Sequence, residues 1–321
     1  MTMLKVSVIG DAFVDIFCPL LHGKLPFWGG DVLVDGVRTT CGGSASNTAL
    51  QLASLVKGTE QWTVEFHTAL GNDGWAGILK EKHDDLNCKL VNNTQDEGLT
   101  TGVCIVISGN SDRAFMTNHG ALDKLTLESF DLGLLSESRH VHIGGMFSLP
   151  AVKEDLDKLV TELKSLNPSL TVSLDTNYDA SEKWGGEALL RLLKCVDIFI
   201  PNETEAQGIS GQSNIDDSLE WLCPKVQPGG LVLITCGADG VVGKQNLPGS
   251  TAWRVGSPNV PHVADTTGAG DAFNAGFLFS YLSGRSPQDA AAFAARGSAH
   301  IIQYSGACDE LLTVETCSAR S

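Results

Sequence analysis

Short apolar runs rich in Val and Ile alternate with helix-like stretches along most of this chain. The runs that predict strands lie at 5–10, 62–70, 171–177, 196–202 and 230–237, and the main helix-like stretches at 44–57, 151–166 and 286–303. Such runs are typical of parallel strands buried on both faces. The alternation therefore predicts an α/β fold, a doubly wound and mostly parallel sheet flanked by helices. Ligands of such sheets bind at the carboxyl ends of the strands.

Two segments interrupt this alternation, because they have strand-like patterns with no helix between them. They are 31–41 and 101–118, and the second contains the hairpin signal "SGNSD" at 108–112. We expect a small β-sheet lid, with strands within about 12–41 and 98–120, that projects from a single domain covering 1–321. A few strands cannot bury much surface alone, so the main domain, a ligand or a second subunit must cover one face. A homodimer through this sheet is one way to do so.

The composition narrows the range of partners. The net charge of −16 repels nucleic acid and anionic membranes, although a local site can still bind a small anion. No apolar stretch is long enough to cross a bilayer, and the first residues do not resemble a signal peptide. Nine cysteines without a C-x-x-C pair favour packed, reduced thiols over a zinc site. We expect a cytoplasmic protein.

The stretch "DTTGAGDAFNAG" at 265–276 predicts an anion site at the start of a helix. The apolar side chains that follow share one helical face, which places Gly268, Ala269 and Gly270 at the helix N-terminus. Backbone N–H groups there lack intrahelical partners, and small residues let a phosphate approach them. Asp271 in the first turn could accept a proton from an attacking hydroxyl. An ordinary turn with an acidic helix start explains the same residues.

Three other patterns in the sequence do not meet the requirements of known nucleotide-binding or metal-binding motifs. "GADGVVGKQ" at 237–245 differs from a Walker A loop, since Ala238 and Gln245 replace the required Gly and Ser or Thr. No G-x-G-x-x-G follows the first strand. His140 and His142 alternate on a strand-like run without a third ligand, which favours a structural role over metal binding.

Several motifs in order resemble the ribokinase-like (PfkB) family of carbohydrate kinases. "DTTGAGDAFNAGF" resembles its C-terminal signature, and "CGGSASNTALQLA" resembles its Gly-Gly signature with Asn four residues after the second Gly. Further matches are "GDAFVD" (10–15), "HGA" (119–121), "DTN" (175–177), "PNETEA" (201–206) and "TCGADG" (235–240). The resemblance covers essentially the whole chain.

The resemblance implies a role for each matching residue. Asp271 corresponds to the catalytic base, and Gly268, Ala269 and Gly270 correspond to the anion hole for the transferring phosphoryl group. The sugar-binding positions are Asp15, Gly42, Gly43 and Asn47, and the nucleotide loop holds Thr235, Gly237 and Gly240. Asn202 and Glu205 place magnesium and its waters near the phosphates. A monovalent cation, potassium, is expected at Asp265 and Thr267, with backbone carbonyls near Ile302, Ser305 and Ala307.

Arg113 is the notable charge of the projecting sheet. It either reaches the substrate or phosphates from a lid strand or is a solvated residue of an edge strand. A closing lid would exclude water and limit wasteful ATP hydrolysis.

These residues together predict an ATP- and magnesium-dependent kinase that phosphorylates a hydroxymethyl group of a sugar, as ribokinases and fructokinases do. Two departures weaken a ribokinase assignment, namely Phe13 where a polar residue is usual and the lack of an acidic residue in 142–149. An adenosine-type nucleoside kinase of the same family remains an alternative, with Phe13 and Phe147 around the base. A sugar-binding regulator without turnover is another.

Overall fold

The computed structural model describes residues 3–19, 28–94, 96, 98–108 and 113–318, and for residues 108 and 113 it describes the backbone alone. In this part of the chain the strands are β1 (Leu4–Gly10), β2 (Phe13–Pro19), β3 (Arg38–Gly42), β4 (Trp62–Thr68), β5 (Lys89–Asn92), β6 (Val103–Ser108), β7 (Arg113–Asn118), β8 (His140–Gly144), β9 (Thr171–Leu174), β10 (Ile198–Phe199), β11 (Leu231–Thr235), β12 (Val241–Gln245) and β13 (Trp253–Val255).

The helices of the same residues are α1 (Ser44–Val56), α2 (Gly74–Asp84), α3 (Leu132–Ser136), α4 (Leu156–Leu166), α5 (Gly186–Leu193), α6 (Glu203–Ser210), α7 (Ile215–Leu222), α8 (Ala269–Leu282), α9 (Pro287–Ile301) and α10 (Val314–Ser318). The central sheet has nine strands in the order β13-β12-β11-β10-β9-β8-β1-β4-β5. The seven strands from β11 through β5 in this order pair in parallel with their neighbours. Strands β12 and β13 add an antiparallel edge beside β11. The predicted α/β class and the doubly wound, mostly parallel sheet are confirmed.

Helices cover both faces of this sheet, and apolar side chains of the central strands are buried on each face. One apolar core joins β8 and β9 to α4, α5 and α7. The other face packs against α1, α8 and α9, with Phe273, Phe277 and Leu278 of α8 buried there as their helical spacing predicts. The amino ends of α1 and α8 meet at the same edge of the sheet, where the strands end.

The remaining strands form a separate four-stranded sheet in the order β3-β2-β6-β7. β6 and β7 pair antiparallel, as the hairpin signal predicts, although its turn at 109–112 lies outside the described residues. The predicted strand at 31–41 is wrong for residues 31–37, and only Arg38–Gly42 forms β3. Gly36 takes a left-handed conformation with φ 86° that turns the chain, and the side chains of Leu33 and Val37 are exposed.

The bounds of two other predicted elements also differ. In the run 196–202 only Ile198–Phe199 forms a strand, because Pro201 has no N–H for the ladder, and Asn202 adds an isolated parallel bridge to Thr235. The helix predicted from residue 151 begins at Leu156, after a turn. The helices predicted at 44–57 and 286–303 form within one to two residues of those bounds.

Candidate active site

A cavity of about 710 Å³ lies at the carboxyl ends of the central strands, beneath the small sheet. Asp11 follows β1 there, Asp175 follows β9, and Asn202 follows β10. The small sheet contributes a wall of residues from three strands, namely Phe13, Asp15, Cys104, Phe115 and Thr117. The cavity therefore occupies the place where parallel α/β sheets bind their ligands.

Asp271 lies at the floor of this cavity, in the first turn of α8. Its Oδ1 accepts a hydrogen bond from Ser44 Oγ at 2.8 Å, and its Oδ2 accepts one from Asn47 Nδ2 at 2.9 Å. Burial raises the pKa of Asp271 to about 8, and the nearby carboxylate of Asp175 adds to the increase, while the two hydrogen bonds oppose it. A buried carboxylate with this pKa is suited to accept a proton near neutral pH.

The start of α8 faces the same cavity through Gly268 and Gly270. Gly268 has φ 80°, and a Cβ at this position would lie 2.6 Å from the Cβ of Ala307, so only glycine fits. The Ala269 amide donates to Thr266 O at 3.2 Å, whereas no acceptor among the described residues reaches the Gly270 amide. Of the three predicted anion-hole residues, Ala269 therefore has its amide already engaged.

A second cavity, of about 100 Å³, adjoins the other side of the same turn. It is lined by the three predicted residues of the nucleotide loop together with residues of α8 and α9, namely Thr235, Gly237, Gly240, Ser257, Ala269, Gly270, Phe273, Ala295 and Ser298. Since Thr235 and Gly270 line both cavities, the helix start lies between them.

The predicted sugar-binding residues cluster on the opposite side of the main cavity. Asp15, Gly43 and Asn47 line it, and Gly42 lies directly beneath Asp15, where a Cβ would be 2.3 Å from the carboxylate. Burial raises the pKa of Asp15 to about 7. No hydrogen bond from another described residue satisfies its carboxylate. Arg113 of the small sheet was also predicted to contact the substrate. The structure describes its backbone but not its side chain.

Asn202 and Glu205 form a reciprocal cap at the start of α6. The Asn202 amide N–H and Nδ2 donate to Glu205 at 3.0 and 2.6 Å, and the Glu205 N–H donates to Asn202 Oδ1 at 3.0 Å. Burial raises the pKa of Glu205 to about 8, and the carboxylates of Asp175 and Asp271 raise it further. Both residues line the cavity.

The residues predicted to hold a monovalent cation come together behind the start of α8. Asp265 accepts from the Thr267 N–H and Oγ1 at 2.8 and 2.6 Å and from the Gly306 N–H at 3.2 Å. The Ile302 carbonyl accepts from the amides of residues 264 and 265, and the Ala307 carbonyl accepts from Gln51 Nε2 at 3.0 Å. Ser305 Oγ instead accepts from Arg38 at 3.4 Å.

Sequence reasoning did not assign roles to four polar residues that the fold places here. Asp11 Oδ1 accepts from the Ala45 amide at 2.9 Å and so caps α1, and burial raises its pKa to about 7. Asp175 accepts from Asn274, one turn beyond Asp271 on α8, and Ser44 contacts Asp271 itself. The "GD" and "DTN" motifs contained Asp11 and Asp175, but only long-range packing brings them near Asp271.

His140 and His142 lie in the core, away from the cavity. The two rings share the hydroxyl of Ser173, at 2.8 and 2.7 Å, and His140 also contacts Thr171 Oγ1 at 2.8 Å. Burial lowers the pKa of both rings well below the usual value, so both stay neutral.

No helix in the described part of the chain has the length and apolar character needed to cross a bilayer.

A helix start and clustered acids at the strand ends of a doubly wound sheet can together bind an anion and accept a proton, which suits a phosphoryl-transfer enzyme. Comparison with protein families agrees, because the family model "pfkB family carbohydrate kinase" matches residues 3–314. The chain belongs to the pfkB family and is a carbohydrate kinase.

Individual relatives are distant and have different activities. A 2-dehydro-3-deoxygluconokinase of Haemophilus influenzae is 26% identical over 95% of both chains, and an adenosine kinase of Saccharomyces cerevisiae is 25% identical over 86% of this chain and 78% of its own. The structure of Arabidopsis thaliana ribokinase with ribose and ATP superposes with a TM-score of 0.79 at 22% identity, over 99% of this chain and 98% of that one. The last comparison confirms the ribokinase-like fold.

Proposed function

We propose that this kinase transfers the γ-phosphoryl group of ATP to a hydroxymethyl group of a neutral sugar, with Asp271 as the base. The observation that carries the proposal is the position of Asp271, which lines the main cavity at the amino end of α8 next to Gly270, the residue that lines both this cavity and the cavity of the nucleotide loop. A base and an anion-stabilising helix start within one turn are what in-line phosphoryl transfer requires.

Each part of the cavity then has a defined task. The unsatisfied carboxylate of Asp15 accepts hydrogen bonds from acceptor hydroxyls, and the bare backbone at Gly43 allows their close approach. Asp271 takes the proton of the attacking hydroxyl. The Gly270 amide and the dipole of α8 stabilise negative charge on the phosphoryl oxygens.

The acids at this site support a divalent cation. The carboxylates of Asp175 and Asp271 raise the pKa of Glu205, and Asp175 also raises that of Asp271, so a positive charge among them removes a repulsion. No cluster of three or more His, Cys, Asp or Glu side chains in the described chain could chelate a metal directly, which fits contact through phosphates and water. Bound magnesium would neutralise phosphate charge, and Glu205 with Asn202 would hold its waters. Potassium beside Asp265 and Thr267 is part of the proposal.

We also propose that the small sheet acts as a lid. Strand β3 is tied to the loop before α10, because Arg38 pairs with Asp309 and Thr40 Oγ1 donates to Asp309 at 3.1 Å. This contact lets the sheet cover the acceptor and keep water out. Met116 of β7 is 55% exposed, and pairing of two lids in a homodimer would cover it.

A nucleoside acceptor is the second candidate, and a specific lining favours it. Four aromatic side chains line the cavity, namely Phe13, Phe115, Phe147 and Tyr178. Trp184 packs edge-on against the last two of them. Aromatic side chains of this kind could stack on a nucleobase beyond the sugar subsite.

A screen of acceptors separates these candidates. Neutral pentoses, hexoses, nucleosides and the anionic 2-dehydro-3-deoxygluconate are first tested by thermal shift, and the ligands that stabilise the protein are assayed by coupled ADP release with Mg·ATP. Turnover on a neutral sugar supports the proposal, and turnover restricted to nucleosides selects the second candidate. Stabilisation by a sugar without ADP release from any compound would contradict both and indicate a sugar-binding regulator.

A further inference from the structure

Cys308 lies directly behind the pair formed by Asn47 and Asp271. Its Sγ is 3.3 Å from Asn47 Oδ1, while Asn47 Nδ2 donates to Asp271 on the other side. Cys308 is fully buried and Asn47 is 4% exposed. Thiol, amide and carboxylate thus form a continuous hydrogen-bonded chain that ends at the base.

The direction of this chain follows from what each group can donate. Gln51 Nε2 approaches the Cys308 sulfur at 4.0 Å as a donor, so the thiol hydrogen has Asn47 Oδ1 as its nearest acceptor. Burial raises the pKa of Cys308 well above its usual value, and the charge on Asp271 raises it further. The group therefore stays a thiol and a donor throughout the working pH range.

This donor strengthens one of the two orientations of the Asn47 amide. The two ends of an asparagine amide have nearly the same shape, so packing alone does not choose between them. With Oδ1 turned toward Asp271, two acceptors would face each other in a buried site and the thiol would lose its nearest acceptor, which is costly. The thiol therefore adds to the preference set by the carboxylate, because it binds the oxygen and leaves Nδ2 facing Asp271.

The backbone around Cys308 is held in place without any ligand. Gln51 Nε2 donates to the carbonyls of Ala307 and Glu310, both at 3.0 Å, and Gln51 Oε1 accepts from the Leu312 amide at 2.8 Å. Gln51 lies one turn after Asn47 on α1. The same helix thus fixes both the amide and the thiol.

We propose that Cys308 is a positioning residue for phosphoryl transfer, which orients the Asn47 amide so that Nδ2 holds the Asp271 carboxylate toward the acceptor. The proposal rests on the role of Asp271 as the base. Cys308 does not line the cavity, and both ends of the Asn47 side-chain amide are engaged by Cys308 and Asp271, so the effect falls on turnover and not on the binding of acceptor or nucleotide.

A double-mutant cycle tests this relay with Cys308→Ala, Asn47→Ala and the double variant, together with Cys308→Ser as the conservative replacement. In Cys308→Ala we expect kcat to fall roughly five- to tenfold, the size of one lost hydrogen bond, with both KM values unchanged. Cys308→Ser keeps a donor and should recover most of kcat. In the Asn47→Ala background, Cys308→Ala should change kcat no further.

Cys88→Ala is the matched control for the loss of a buried thiol, since Cys88 is also fully buried in the same apolar core. It should lower the melting temperature about as much as Cys308→Ala while kcat stays at the wild-type value. Unchanged kcat in Cys308→Ala, a Ser variant as slow as the Ala variant, or additive losses with Asn47→Ala would overturn the proposal. Asp271→Ala, measured in the same assays, separates the role of Asp271 as the base from the positioning role of Cys308. If Asp271→Ala retains turnover, the base is wrong, whereas if it is inactive and Cys308→Ala is normal, only the positioning role fails.

Discussion

Asn47 Nδ2 donates to Asp271 Oδ2 at 2.9 Å, although 224 residues separate the two in the chain. The contact joins the amino ends of α1 and α8, which pack together on one face of the sheet. Ser44, at the first position of α1, donates to the other carboxylate oxygen. One helix therefore presents two donors to a carboxylate carried by the other, and the base is oriented before any substrate binds.

Replacement of Gly268 by Ala should damage both folding and turnover. The residue has φ 80°, and the added Cβ would meet Ala307 at 2.6 Å, so the turn before α8 must shift. We expect a loss of roughly 1–3 kcal/mol in the free energy of unfolding and a drop in kcat of at least tenfold. Chemical denaturation and steady-state kinetics measure the two effects.

Gly284→Ala is the control, because Gly284 has φ 92° with open space around its Cα and lies beyond the other end of α8. This substitution should lower the free energy of unfolding by a similar amount and leave kcat unchanged. Wild-type kcat in Gly268→Ala would show that the geometry of this turn does not matter for transfer.

The pH dependence of kcat/KM should report the base. A base acts when deprotonated, and the pKa of Asp271 is about 8, so kcat/KM should rise as pH increases through about 8. Asp175→Asn removes a neighbouring negative charge that raises this pKa, and the midpoint should therefore move to lower pH. The exposed Asp84→Asn on α2 should leave the midpoint in place. A midpoint that stays fixed or rises in Asp175→Asn would contradict the electrostatic coupling.

His83 should make the fold sensitive to acid. Burial lowers its pKa to about 4, while an unfolded histidine titrates near 6.5. Between these values the unfolded chain binds the extra proton, so this contribution to the free energy of unfolding is complete above pH 6.5 and declines toward pH 4.

Since His83 stacks on Phe66 at 5.0 Å, His83→Leu keeps an apolar contact there and removes the titration. The loss of unfolding free energy between pH 7 and pH 4 should be smaller in this variant by about 3 kcal/mol. Denaturant titrations at both pH values provide the comparison, and equal losses in the two proteins would contradict the assignment.

The sequence predicted the fold class and the residues of the helix start because those signals are local. Apolar runs identify strands, and "GAGD" before an apolar helical face identifies the start of α8. The strand predicted at 31–37 was wrong for a non-local reason, since strand-forming residues need packing partners and the side chains of Leu33 and Val37 are exposed.

The chain of contacts behind the base could not be predicted, because it depends on packing between distant segments. Nothing in the sequence around Cys308 distinguishes it from the other cysteines. Only the packing of its loop on α1 brings the thiol to Asn47. Asp175 likewise gains its influence on Asp271 from the order of β8, β9 and β1 in the sheet. The roles of the individual site residues stay predictions until they are tested by substitution.

The most direct test of the central claim is single-turnover phosphoryl transfer by Asp271→Asn, with acceptor affinity measured in parallel by calorimetry. Asparagine keeps the size of the side chain and cannot accept the proton. We predict that the transfer rate falls by roughly 10²–10⁴-fold, the usual contribution of a positioned base, while the acceptor Kd changes less than about threefold. Transfer within tenfold of the wild-type rate would contradict the role of Asp271 as the base.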